Sequence, residues 1–230
     1  MPLLLRLVVT SLLFALAPLA QAERPLQTED AGVLERGDCQ AQTAFARLSD
    51  EGSRVRSGFA QLGCGVFRGT QWQLAAGRTT GDGERSDDLV FSGKTALIDL
   101  TDDKPGLVIA YGLQGGRASG QQGLRLVQSA VKAVVSVPFG PWLAHANLGW
   151  ARDREASSDS TTWNLALERT SAGPFDLMAE VYGDDHSPAW ANAGARWWLL
   201  PKRLWVDASY GVQMSSTRAR LATVGLSLLF

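Results

Sequence analysis

The 230-residue chain contains two cysteines, two histidines, three methionines and three tyrosines. After residue 19 it has no apolar run approaching the roughly 20 residues that a membrane-spanning helix needs. Each shortage excludes something. With so few histidines, acid–base chemistry rests on His145, which falls mid-segment on a polar face, and on His186 in the loop sequence DDHSP. No GxSxG accompanies either one, so no hydrolase triad is legible. Asp184, Asp185 and His186 read as a solvated turn, and two cysteines without a nearby histidine do not make a zinc site. The Gly-rich GGRASG (Gly115 to Gly120) lacks the lysine of a phosphate-binding loop. No catalytic residue, metal or cofactor is therefore expected. The 22 basic and 23 acidic residues leave a net charge of −1, which gives no basic footprint for nucleic acid.

The chain opens MPLLLRLVVTSLLFALAPLAQAE, with one positive charge at Arg6, an apolar run from Leu7 to Leu19, and Ala20-Gln21-Ala22 before Glu23. That order is the pattern of a secretory signal peptide cleaved after Ala22. Arg6 is the only charge removed, so 21 basic and 23 acidic residues remain of the original 22 and 23. Residues 23–37 are charged and interrupted by Pro25, Gly32 and Gly37, and they are expected to form an irregular periplasmic segment or partial plug. Residues 38–230 form the one remaining domain, since no long-period repeat or low-complexity linker divides them.

From Cys39 onward the pattern is alternation, as in Ala219 to Phe230, where Ala222, Val224, Leu226, Leu228 and Phe230 share a face opposite Thr223, Gly225 and Ser227. About twelve segments of roughly 9 to 11 residues repeat this two-faced pattern, the length a tilted strand needs to cross a bilayer. One face carries residues such as Trp72, Leu74, Phe91, Leu113, Leu148, Trp150 and Leu165. The other carries glutamines, asparagines and charges, including Lys94, Lys132, His145, Glu168, Glu180, Arg196 and Asp207. Connections after even-numbered segments are mostly tight, as in RG, PFGP and LPK, whereas those after odd-numbered ones read longer and more polar, as in DEGSRVRS, TGDGERSDD and GRASGQQGLR.

Periodicity alone does not say which face points outward. The signal peptide, the loop asymmetry and the final strand decide it. That strand, closing on Phe230, resembles the carboxy-terminal signature of bacterial outer-membrane barrels, and the resemblance implies recognition by the barrel-assembly machinery. The fold class expected is all-β: an antiparallel up-and-down transmembrane β-barrel of about 12 strands with both termini periplasmic. The cysteines fit the same scheme. If Cys39 to Ser49 and Gly58 to Phe67 form a hairpin around Asp50 to Ser53, facing positions sum to about 103. Cys39 and Cys64 then meet across the strands as a disulfide, suited to an exported protein.

Directly after the signal peptide, Arg24, Pro25, Leu26, Thr28, Glu29, Asp30, Ala31 and Gly32 form an RPLxT(D/E)DAG segment. This resembles the phenol-degradation meta-pathway family of outer-membrane barrels, from which the chain departs in being short and in carrying a cysteine pair. The resemblance implies an outer-membrane location and a transport role, with hydrophobic or aromatic compounds among the solutes, and no catalytic residues.

Inward-facing Lys94, Lys132, His145, Glu168, Glu180, Arg196 and Asp207 must either pair or line water, because an unpaired charge is not tolerated away from both. The reading favoured is a narrow channel for small solutes, in contact with outer-membrane lipids. The alternatives are a closed structural or interaction barrel with binding loops, a lipid-modifying enzyme, and a soluble periplasmic barrel or sandwich.

Overall fold

The computed structural model describes residues 25–170, 173–216 and 218–230, so the signal peptide and Arg24 lie outside the described residues. Twelve strands follow one another in chain order. They are β1 (Cys39–Asp50), β2 (Ser53–Phe67), β3 (Thr70–Gly81), β4 (Glu84–Ile98), β5 (Gly106–Ala118) and β6 (Arg125–Phe139). The second half holds β7 (Trp142–Asp153), β8 (Ser158–Arg169), β9 (Phe175–Asp184), β10 (Trp190–Leu200), β11 (Leu204–Gln213) and β12 (Arg220–Leu229). Each pairs antiparallel with its neighbours, and β1 pairs with β12 to close the barrel. Closure leaves no unpaired edge. At the seam Cys39 N–H donates to the Phe230 carbonyl (2.8 Å) and Phe230 N–H donates back to the Cys39 carbonyl (2.9 Å), so both ends of the wall lie at one rim. We call this the terminal rim and the opposite one the far rim.

Alternation sorts the side chains as a bilayer demands. Phe45, Leu74, Leu148, Leu165 and Leu177 are more than half exposed on the outside. On the inside Gln40, Gln71, Lys94, Asn147, Glu168 and Arg196 are buried. A soluble barrel would invert this order, because a continuous apolar exterior of this extent is not stable in water. The chain is a transmembrane β-barrel.

The β1–β2 register runs from Cys39↔Cys64 to Asp50↔Ser53, and the two cysteines are bonded. The turn is only Glu51 and Gly52, both with positive φ (32° and 95°), the combination that matches the twist of a two-residue hairpin. Asp82 and Gly83 repeat it between β3 and β4 (50° and 81°).

These turns correct the expected loop asymmetry. DEGSRVRS and TGDGERSDD are not long loops: β2 begins at Ser53 and β4 at Glu84, and both run past the apolar belt as paired strand. The polar residues there keep the two-residue period, but their outward positions carry arginine instead of leucine. In sequence that looks like loop.

Candidate functional site

The barrel interior is occupied by the chain's own amino-terminal segment. From Asp38 at the terminal rim it runs back into the lumen, and Pro25 reaches Gly194, where an added Cβ would lie 2.8 Å from the proline Cγ. The segment has no strand or helix partner for most of its backbone, so side chains of the wall satisfy it instead.

Glu180 on β9 is the main anchor. Its carboxylate accepts from the N–H groups of Gln27 (2.8 Å) and Thr28 (2.7 Å), from Thr28 Oγ1 (2.6 Å) and from Asn192 Nδ2 on β10 (2.7 Å). Asn147 on β7 holds Glu29 at both backbone groups: its Oδ1 accepts the N–H (2.7 Å) and its Nδ2 donates to the carbonyl (2.9 Å). Asn164 on β8 donates to the Gln27 carbonyl at 3.2 Å. Further on, Ala31 N–H donates to Ser136 Oγ and Leu34 N–H to Gln71 Oε1, each at 2.8 Å. Apolar contacts support the polar ones, with Leu26 against Ala166 and Met178, and Ala31 against Val108, Ala110 and Val134.

Charge is concentrated along this path. Lys94 on β4 bonds Asp30 Oδ1 (2.7 Å) and lies 3.3 Å from Glu29 Oε1. Glu29 is almost fully buried, and burial pushes its carboxyl up to about 6 despite the pull of Lys94 and Lys132. Lys132 on β6 makes no ion pair with a carboxylate among the described residues. A second network lies nearer the terminal rim. There Arg196 on β10 bonds Glu168 (2.9 Å), approaches Asp176 (3.8 Å) and lies over the rings of Trp198 and Trp205. Asp207 is the cross-strand neighbour of Arg196 on β11 and is 1% exposed.

The seven residues picked out from the sequence therefore occupy two regions. Lys94, Lys132, His145 and Glu180 surround the amino-terminal segment, while Glu168, Arg196 and Asp207 form the network nearer the terminal rim. Cys39–Cys64 and Phe230 lie at the seam, and Phe230 is 61% exposed on the exterior. Sequence reasoning missed Ser136 and Gln71 as partners of the segment. Their inward parity was visible, but an aperiodic peptide gives no sign of where in a lumen it will lie.

His145 Nδ1 lies 2.8 Å from Ser136 Oγ, a serine–histidine contact that invites a nucleophilic reading. The geometry argues otherwise. Ser136 is fully buried, and its oxygen already accepts from Ala31, which leaves the hydroxyl proton for the imidazole and no approach for an acyl group. This contact braces the segment.

The segment does not fill the terminal rim. A cavity of about 420 Å³ remains beside it, lined by Leu34, Arg36, Arg68, Ala96 and Asp99 among others. It is a mixed-charge vestibule leading to the segment. On the inner face of β1–β3 an amide ladder crosses the strands, with Gln61 Nε2 donating to Gln42 and Gln73 at 3.2 Å each.

A family profile described as "Uncharacterised conserved protein UCP029691" matches residues 11–230. No curated relative matches the sequence. Among solved structures, an outer membrane channel from Pseudomonas putida F1 aligns with TM-score 0.63 at 10% identity, covering 87% of this chain and 98% of that one. The NanC porin aligns at 0.59 and 9% identity, covering 82% and 98%. Outer membrane phospholipase A from Escherichia coli aligns at 0.51 and 10% identity, covering 82% and 92%. At such identities the likeness carries the fold; it joins channels and an enzyme alike.

Proposed function

We propose that this chain, which belongs to the family of uncharacterised conserved proteins UCP029691, is a narrow outer-membrane channel for small solutes whose lumen is gated by its own residues 25–34. The observation that carries this reading is how the segment is held. Every hydrogen-bonding anchor is a polar side chain of the wall, so withdrawing the segment exposes mainly glutamine, asparagine, serine and charge to water, with only small apolar patches at Val108, Ala110 and Val134 and at Ala166 and Met178. Such a wall is suited to a water-filled path. Net hydrogen-bond gains of about 1 kcal/mol each are comparable with the roughly 1–2 kcal/mol per residue of backbone entropy lost on ordering. A segment held by that balance is displaceable. Twelve strands also lie between the eight that side chains fill and the sixteen that leave an open pore.

In this reading the terminal rim faces the periplasm, the preceding signal peptide is removed on export, and Phe230 serves the barrel-assembly machinery. The phenol-degradation resemblance adds hydrophobic or aromatic compounds as a solute class to test.

Single-channel conductance of the purified barrel in planar bilayers tests the proposal. The wild type is expected to give small or rare unitary steps, deletion of residues 23–37 to raise them severalfold, and Glu180→Gln to fall between. Liposome swelling with benzoate against a small sugar then sorts the solutes. A deletion variant that folds yet neither conducts nor swells liposomes would overturn the channel in favour of a closed interaction barrel. That second reading has its own support in Glu180, whose carboxylate is bound to both segment and wall.

A further inference from the structure

The exterior of β1–β5 changes character toward the far rim. Outward positions that carry Leu74, Leu89, Phe91 and Leu113 within the belt carry arginine beyond it: Arg47, Arg54, Arg56, Arg78, Arg85 and Arg117, all exposed. In this sector Asp87 is the single outward-facing acid within the strands; Glu51 and Asp82 stand at the hairpin tips, and Glu84 has the inward parity.

Three of the arginines converge on that acid. Arg78 and Arg117 are the cross-strand neighbours of Asp87, and Arg85 lies two residues away on the same strand. Arg78 Nε bonds Oδ1 at 2.7 Å, while Arg117 Nη2 and Arg85 Nη2 reach Oδ2 at 2.9 and 3.2 Å. One carboxylate cannot neutralise three guanidiniums, so the group keeps an excess of two positive charges. Nor does it use up their donors. Each guanidinium has five N–H groups in a planar fork, and the three side chains remain 48–56% exposed. Beside them Arg47 and Arg56 face each other across β1 and β2, and neither these nor Arg54 makes an ion pair among the described residues.

Strand register gathers three like charges around one exposed carboxylate, and an anion that met them here would offset the excess. Leu89, two residues from Asp87, is 40% exposed and starts the apolar belt roughly 7 Å below the arginines. A ligand at this place touches guanidinium forks at one end and the lipid-facing wall at the other. The geometry points to a docking site for an anionic membrane lipid, its phosphate held by Arg78, Arg85 and Arg117 and its acyl chains lying along Leu89, Phe91 and Leu113. Asp87 orients the forks; phosphate oxygens take the free N–H pairs bidentately. A freely diffusing anion would gain nothing from the adjoining belt.

Native mass spectrometry of the detergent-purified barrel, titrated with diphosphorylated lipid A, tests this. Wild type is expected to retain one or more lipids. The triple variant R78Q/R85Q/R117Q should bind at least tenfold more weakly, and Arg152→Gln, whose arginine pairs with Asp159 on β7–β8, should match wild type. Lipid A stripped of phosphate should bind both proteins equally and weakly, and millimolar inorganic phosphate should not displace the lipid. Equal binding by the triple variant, tight binding of the dephosphorylated lipid, or displacement by inorganic phosphate would each overturn the site. If the triple variant fails to fold, Arg117→Gln alone carries the test, with a loss of about threefold expected and no loss counting against it. Conductance should be unchanged throughout, which separates this outcome from that of the channel.

Discussion

At the scale of single residues, Glu29 sets a pH dependence for the segment. In water its carboxyl has the ordinary value of 4.5, and docked it is pushed up to about 6 because burial outweighs the charges facing it. Lys94 from β4 and Lys132 from β6 pull it down, and its neighbour Asp30 adds to the rise. The docked state thus binds the proton more tightly. This residue's contribution to docking is fully present below pH 4.5 and is lost as pH rises through about 6. Hydrogen exchange of peptides covering 25–34, corrected for intrinsic rates, should show protection falling between pH 4.5 and 7. Glu29→Gln, which imitates the protonated form, should flatten that profile. A Gln variant with the wild-type slope would assign the effect to another group. The inward parity of Glu180 and Lys94 was legible from alternation. That Glu180 would grip Gln27 and Thr28 was not, because parity gives a direction and not a partner from an aperiodic segment.

At the scale of elements, the register of the β1–β2 hairpin was legible, although the far half of β2 read as loop. The sum of 103 that relates Cys39 to Cys64 also relates Asp50 to Ser53, and a two-residue turn with Gly52 fixes it. The far ends of β2, β4 and β5 were not legible, because arginine at an outward position reads as loop to any eye expecting lipid-facing leucine. Where the segment leaves the lumen, its backbone presses on this same hairpin: Arg36 bridges Gly65, and Gly37 N–H donates to the Gly65 carbonyl at 3.0 Å. A Cβ on Gly65 would meet backbone atoms of Glu35 and Leu34, the Leu34 oxygen at 2.6 Å. Backbone cannot swing aside as a side chain does. Gly65→Val is therefore expected to push residues 34–37 off the wall and to speed their amide exchange at least tenfold, with no charge altered. It should raise conductance in the same direction as Glu180→Gln. Unchanged exchange at 34–37 in a folded Gly65→Val barrel would show that the exit of the segment is not held there.

For the whole molecule, the balance of charge inside the wall fixes what an emptied lumen should prefer. With residues 23–37 removed, and leaving aside the far-rim positions Asp50, Glu84, Arg125, Asp153 and Asp184, the described inward-facing wall keeps Asp88, Glu168, Asp176, Glu180 and Asp207 against Lys94, Lys132 and Arg196. Five acids against three cations leave an excess of two negative charges, which are spread along the barrel instead of gathered in one ring. A diffuse excess of this size gives a weak preference for cations, since opposite charges along one path offset each other. Reversal potentials in a tenfold KCl gradient should therefore favour K⁺ over Cl⁻ by a few-fold at neutral pH. Adding Glu180→Gln to the deletion should move that ratio toward unity, and Lys132→Gln should move it the other way. The two shifts must be opposite in sign if both side chains line the conducting path. An anion-selective deletion variant, or a ratio that neither substitution moves, would mean that ions cross elsewhere and that the polar wall serves only to seat the segment.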